Sequence, residues 1–125
     1  MADKVLITTG YPYDNGVFSE VIDVNNSNVT CDTSLPDFPV TIAYATGGLL
    51  MGRPLICGGE SNYSRCYFLD NLDFIDLSQP RIGSDGIVLN ETMFFVIGGA
   101  RNFTDNSTEL VDVVAGITKK GPEMP

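Results

Sequence analysis

The side chains able to do chemistry in this chain are carboxylates, tyrosines and three cysteines, and there is no histidine at all. That excludes Ser-His-Asp and Cys-His catalysis, imidazole-ligated zinc or copper, and the usual near-neutral general base. Three cysteines cannot complete an all-thiolate, four-cysteine zinc site. An enzyme here would have to rely on carboxylates, tyrosines or a cysteine without its usual partner. We therefore expect a non-enzymatic protein with no cofactor and no metal. Asp14-Asn15-Gly16 and Asp105-Asn106 offer oxygens of the kind calcium takes, but isolated runs of this kind are usually turns.

Cys57 and Cys66 flank an eight-residue loop between two segments expected to pair antiparallel. Residues flanking such a loop come within disulfide range if they form a non-hydrogen-bonded pair or if the loop relaxes the ladder. A bridge closing so short a loop stabilises by about 2–3 kcal/mol at best. The other reading is two buried thiols, since cysteine packs well as a small apolar side chain. Cys31 has no evident partner.

A second set of candidate positions is the Asn-x-Ser/Thr sequons at Asn25, Asn28, Asn62, Asn90, Asn102 and Asn106. Nine asparagines and 18 Ser or Thr residues would give about one such match by chance. All six fall in or beside expected turns, where these residue types gather for other reasons as well. The excess still points to a secreted, glycosylated chain.

Acidic residues outnumber basic ones by 16 to 7, and the net charge is −9. Such a surface repels phosphate backbones and anionic lipid, so nucleic acid and membranes are not expected partners. No apolar run approaches the ~20 residues that span a bilayer. Met1-Ala2-Asp3-Lys4 leads into a strand without a signal-peptide apolar core.

These residues must be positioned by strands. Leu6-Ile7-Thr8-Thr9-Gly10, Leu55-Ile56-Cys57-Gly58-Gly59 and Phe95-Val96-Ile97-Gly98-Gly99 are each an apolar run ending on glycine. Their last glycines lie 49 and then 40 residues apart, a spacing typical of propeller-blade repeats. Gly10 to Asp23 and Gly99 to Asp112 both span 13 residues, and Asp70 to Pro80 and Asp112 to Pro122 both span 10. Ile7, Ile56 and Val96 are expected to be equivalent, as are Asp23, Asp70 and Asp112. Further strands are expected over 19–24, 29–32, 41–46, 65–70, 74–77, 86–89 and 107–113. Gly47-Gly48 and Met51-Gly52 are expected to break the chain before Pro54-Leu55. No helix-period apolar face of useful length occurs. The expected fold is all-β, one domain over 1–125 with units at about 1–39, 40–80 and 81–125.

This pattern resembles the kelch motif, in which an apolar strand ends in Gly-Gly and a variable loop leads to a strand ending near Tyr-Asp. An outer strand carrying Trp then runs into Leu-Pro-x-x-Pro. The structural glycines are Gly58-Gly59 and Gly98-Gly99, with Thr9-Gly10 a degenerate copy. Leu35-Pro36-Asp37-Phe38-Pro39 and Gly121-Pro122-Glu123-Met124-Pro125 match the proline motif. The chain departs from the family in lacking Trp; Cys31, Ile75 and Ile117 stand where it is expected, and Ile22, Leu69 and Val111 replace the Tyr. The resemblance implies a partial β-propeller of about three consecutive four-stranded antiparallel blades. The first lacks its innermost strand, because Met1 leaves no room before Val5.

Propellers close with roughly four to eight blades, so the chain reads as a fragment of a longer propeller or as copies that assemble into a ring. Exposed blade faces then favour association or aggregation. The resemblance further implies a binding module whose loops recognise a protein or a glycan, with Tyr11, Tyr13, Tyr63, Arg101 and Phe103 as candidate contacts. Those aromatics also suit packing of the loops onto the blades. Cys57-Gly58-Gly59 and Cys66-Tyr67 resemble secreted invertebrate kelch proteins, which implies an oxidised pair. The alternative is a cytoplasmic substrate adaptor for a cullin ubiquitin ligase, although this chain has no helical dimerisation domain. Copper-radical oxidases share such propellers, but their site needs the missing histidines.

Overall fold

Phe, Val and Ile fill the extended run 94–97, and Gly52, Asp70 and Asn71 lie in turns. The computed structural model describes residues 4–8, 19–23, 31–32, 43–60, 64–99 and 106–125. Among these, every regular element is a strand. The first sheet contains β1 (Lys4–Thr8), β2 (Ser19–Asp23) and β3 (Cys31–Asp32), in that order. The second contains β4 (Ala45–Leu50), β5 (Arg53–Gly58), β6 (Arg65–Phe68) and β7 (Phe74–Asp76). The third contains β8 (Asp85–Asn90), β9 (Met93–Ile97), β10 (Thr108–Asp112) and β11 (Ile117–Lys120). All pairings are antiparallel between sequence neighbours.

One register recurs in the three sheets. Lys4 pairs with Asp23, and Met93 with Asp112. In the second sheet the ladder from Leu55–Phe68 continues through the bond from Leu69 N to the Pro54 carbonyl, 2.9 Å, and ends at Arg53 and Asp70, joined at 2.7 Å. Counting three residues on from Lys4, Arg53 and Met93 reaches Ile7, Ile56 and Val96. These stand opposite Glu20, Tyr67 and Glu109.

The second and third sheets pack face to face in the same order, β4 against β8 and β7 against β11. Leu50, Leu55, Cys57, Cys66, Phe68, Ile75 and Leu77 meet Phe94, Val96 and Val111 between them. On the other face of the second sheet Ile56, Tyr67 and Leu69 form a smaller cluster with Ala45 and Leu72.

Two expectations need correction. Gly47 and Gly48 do not break the chain: β4 runs straight through them. A Cβ on Gly47 would lie 2.5 Å from the Leu55 carbonyl oxygen, and one on Gly48 would lie 2.5 Å from Val88 and 3.2 Å from Phe94. Glycine here permits close approach of backbone and neighbouring sheet, and the turn falls only at Met51-Gly52, φ 50° and 73°.

Nor do Cys31, Ile75 and Ile117 share a register position. They pair with Ile22, Cys66 and Asp112. Ile75 is buried while Ile117 is 47% exposed. The β6–β7 and β10–β11 hairpins differ in length, so counting back from the prolines does not carry the outer-strand register across units.

Candidate functional site: the glycine-terminated strand ends

β5 and β9 each leave the sheet through a pair of left-handed glycines, Gly58 and Gly59 at φ 70° and 96°, and Gly98 and Gly99 at φ 60° and 74°. Any other residue would be strained at these angles. Space is also short there. A Cβ on Gly58 would collide with the Arg81 carbonyl, and one on Gly99 would lie 2.5 Å from the Ser84 side chain. The amide of Gly59 donates to that same Arg81 carbonyl at 2.9 Å, and Gly98 N donates to the Ser107 carbonyl at 3.0 Å. The strand ends are thereby pinned to the segment that opens the third unit.

Beneath them lies a pair that the sequence reading missed. Arg81 and Glu109 are both about 1% exposed, and Arg81 Nε donates to Glu109 Oε1 at 2.8 Å. One Arg81 terminal nitrogen donates to the Gly98 carbonyl at 2.6 Å and to the Ser107 carbonyl at 3.3 Å; the other donates to Ser107 Oγ at 3.0 Å. Glu109 Oε2 accepts the Ser78 amide at 2.8 Å, and Gln79 Nε2 donates to Ser107 Oγ at 2.7 Å. The cluster joins the end of the second unit (Ser78, Gln79) to β9 and β10 of the third sheet.

A buried, saturated ion pair of this kind is a structural tie. It presents no reactive atom to solvent. The available signal was a lone Glu inside an apolar strand, Thr108-Glu109-Leu110-Val111, at a position that Glu20 repeats in Ser19-Glu20-Val21-Ile22.

Cys57 and Cys66 stand directly opposite each other on β5 and β6, and they are disulfide-bonded with Cα atoms 3.9 Å apart. Both are buried in the core between the second and third sheets. Two half-buried arginines clamp the same sheet. Arg53 makes a two-pronged contact with Asp70, 2.7 and 2.9 Å, and lies 3.9 Å over the Phe68 ring. Arg65 bonds Asp76 at 2.8 Å and lies 3.9 Å over Phe74. The hydrogen bonds from Arg53 hold the Asp70 carboxyl below its ordinary pKa.

Of the other sequence candidates, Asn90 and Asn106 are exposed. At the β8–β9 hairpin, Asn90 Oδ1 accepts both the Thr92 amide at 2.9 Å and the Thr92 hydroxyl at 3.1 Å. Asn106 instead donates through Nδ2 to the Met124 carbonyl at 3.2 Å, and Thr108 of its sequon is 2% exposed. Gly10, Tyr11, Tyr13, Asn25, Asn28, Asn62, Tyr63, Arg101, Asn102 and Phe103 lie outside the described residues. Among the described residues no helix is long and apolar enough to cross a membrane.

No family model matches the chain, and no curated protein sequence matches it. Among solved structures, that of YjhT matches with a TM-score of 0.75 at 16% identity, over 98% of this chain and 49% of its own. The chain thus spans about half the length of that neighbour. At this identity the likeness concerns the fold alone.

Proposed function

We propose that the chain is a set of kelch-type propeller blades acting as a non-enzymatic recognition module, secreted, whose loops bind a protein or a glycan. The observation that carries this reading is the common register, which puts Ile7, Ile56 and Val96 at equivalent points before the glycine-bearing strand ends. A rigid sheet framework pinned at those ends suits variable loops used for recognition. The 58–64 and 100–106 loops start from Gly58-Gly59 and Gly98-Gly99. The Cys57–Cys66 bond is compatible with an oxidising, extracellular setting.

The test is binding of chain purified from a secretory host to arrayed glycans and to a panel of purified ectodomains. The reading expects one ligand class to bind saturably and to weaken about tenfold or more when Tyr63 or Phe103 becomes Ala, each such residue being a candidate anchor. Binding to neither panel, or binding indifferent to Tyr11, Tyr13, Tyr63, Arg101 and Phe103 together, would count against it. Freely alkylated Cys57 and Cys66 in native material would move the reading toward the cytoplasmic adaptor.

A further inference from the structure

The sequons have no part in ligand recognition, and two of them, Asn90-Glu91-Thr92 and Asn106-Ser107-Thr108, lie within the described residues. Their geometries are opposite. A glycan attaches through the Asn amide nitrogen and the sequon is read through the hydroxyl two residues on, so both groups must be reachable. At Asn90 they are. Its Oδ1 accepts the Thr92 amide at 2.9 Å and the Thr92 hydroxyl at 3.1 Å, in an exposed turn. All of this bonding falls on the oxygen, and among the described residues nothing bonds Nδ2. The bonds stay within three residues, so the same turn can form before the rest of the chain folds. At Asn106 the nitrogen already donates to the Met124 carbonyl at 3.2 Å. Thr108 is 2% exposed, and its hydroxyl donates to the Pro122 carbonyl.

The β8–β9 turn is held by its backbone rather than by its side chains. Met51 N donates to the Glu91 carbonyl at 2.9 Å, and Val113 N donates to the Thr92 carbonyl at 3.0 Å. A group added at Asn90 Nδ2 therefore breaks none of the bonds that fix the turn. β8 pairs Asp85 with Ile97 at one end and Asn90 with Met93 at the other. Gly98-Gly99 follow Ile97, so Asn90 lies at the opposite end of the third sheet, about 14 Å of β9 away at strand rise. A glycan there stands clear of the point where the 100–106 loop begins.

We propose that Asn90 is an N-glycosylation site, accepting an oligosaccharide from a polyprenyl-pyrophosphate donor. Asn90 Nδ2 forms a bond to the anomeric carbon, and the bond from that carbon to the pyrophosphate oxygen breaks. The oxygen leaves with the electron pair, and the amide gives up one proton to a base of the transferase. This rests on the secreted reading but not on ligand recognition.

The test is glycopeptide mapping of the chain carried through the secretory route of a eukaryotic host behind an added leader. One oligosaccharide is expected on Asn90 in most molecules, lost completely in Asn90→Gln and in Thr92→Ala and retained in Thr92→Ser. Mapping the unaltered chain keeps the result independent of whether a variant folds. Asn90 bare beside an occupied sequon elsewhere, or a modification that survives Thr92→Ala, would overturn the site and leave the secreted reading standing. Every sequon bare, with Cys57 and Cys66 freely alkylated in chain from its native source, would overturn both.

Discussion

Arg81 shows what a single side chain contributes here, because its guanidinium holds Glu109, Gly98 and Ser107 while its own carbonyl receives Gly59. Removing one partner leaves the other charge buried and unpaired. Arg81→Met is expected to lower stability by about 3–5 kcal/mol in urea denaturation, and Arg81→Met with Glu109→Leu to recover much of that loss. Equal losses in the single and double variants would contradict the tie. Asp70 gives a smaller effect with a definite sign. Its carboxyl pKa is depressed by Arg53, so the stabilisation is present above the ordinary carboxylate pKa and disappears as pH falls through the depressed value. The pair is partly exposed, 35% and 39%, so Asp70→Asn is expected to cost only about 0.2–1 kcal/mol at neutral pH and nothing in strong acid. Among the sequons, Asn90 sits in an exposed turn with its Thr92 partner folded onto it, whereas Thr108 of the Asn106 sequon is buried and bonded to Pro122. Glycopeptide mapping from a secretory host is expected to find Asn90 occupied well above Asn106.

At the scale of elements, β5 and β9 were legible because apolar runs ending in Gly-Gly admit few other structures. Asp23, Asp70 and Asp112 were placed correctly because the hairpin ladders carry one register. Gly47 and Gly48 were misread, since glycine marks a turn and a close contact with the same letter, and only the position of Val88 and Phe94 separates the two. Ile75 and Ile117 were misaligned for want of hairpin lengths. Arg81 was passed over because nothing local to Gln79-Pro80-Arg81 reveals a partner 28 residues away. The glycines separate experimentally. Gly58→Ala should be strongly destabilising, because its Cβ meets the Arg81 carbonyl, while Gly116→Ala, at φ 67° with open space around it, should cost only about 1 kcal/mol. Comparable thermal shifts in the two would argue against close approach at the β5 end. Reduction of Cys57–Cys66, which closes a separation of nine residues, is expected to cost about 2–3 kcal/mol, read as a lower urea midpoint.

For the whole molecule the central claim is that one antiparallel unit repeats and that its copies pack face to face in a fan. The second and third sheets pack face to face, with β4 against β8 and β7 against β11 around the Leu50–Val111 core. What the sequence shows at this scale is period and polarity; how the sheets are arranged depends on contacts between faces that no single unit contains. The most direct measurement is a crystal structure of the purified chain. The expected result is three sheets fanned about one axis, with β1–β3 on the Ile56–Tyr67–Leu69 face of the second sheet and Ile7, Ile56 and Val96 at superimposable positions. Sheets stacked as a two-layer sandwich, or Ile7 displaced from the position of Ile56 and Val96, would contradict it.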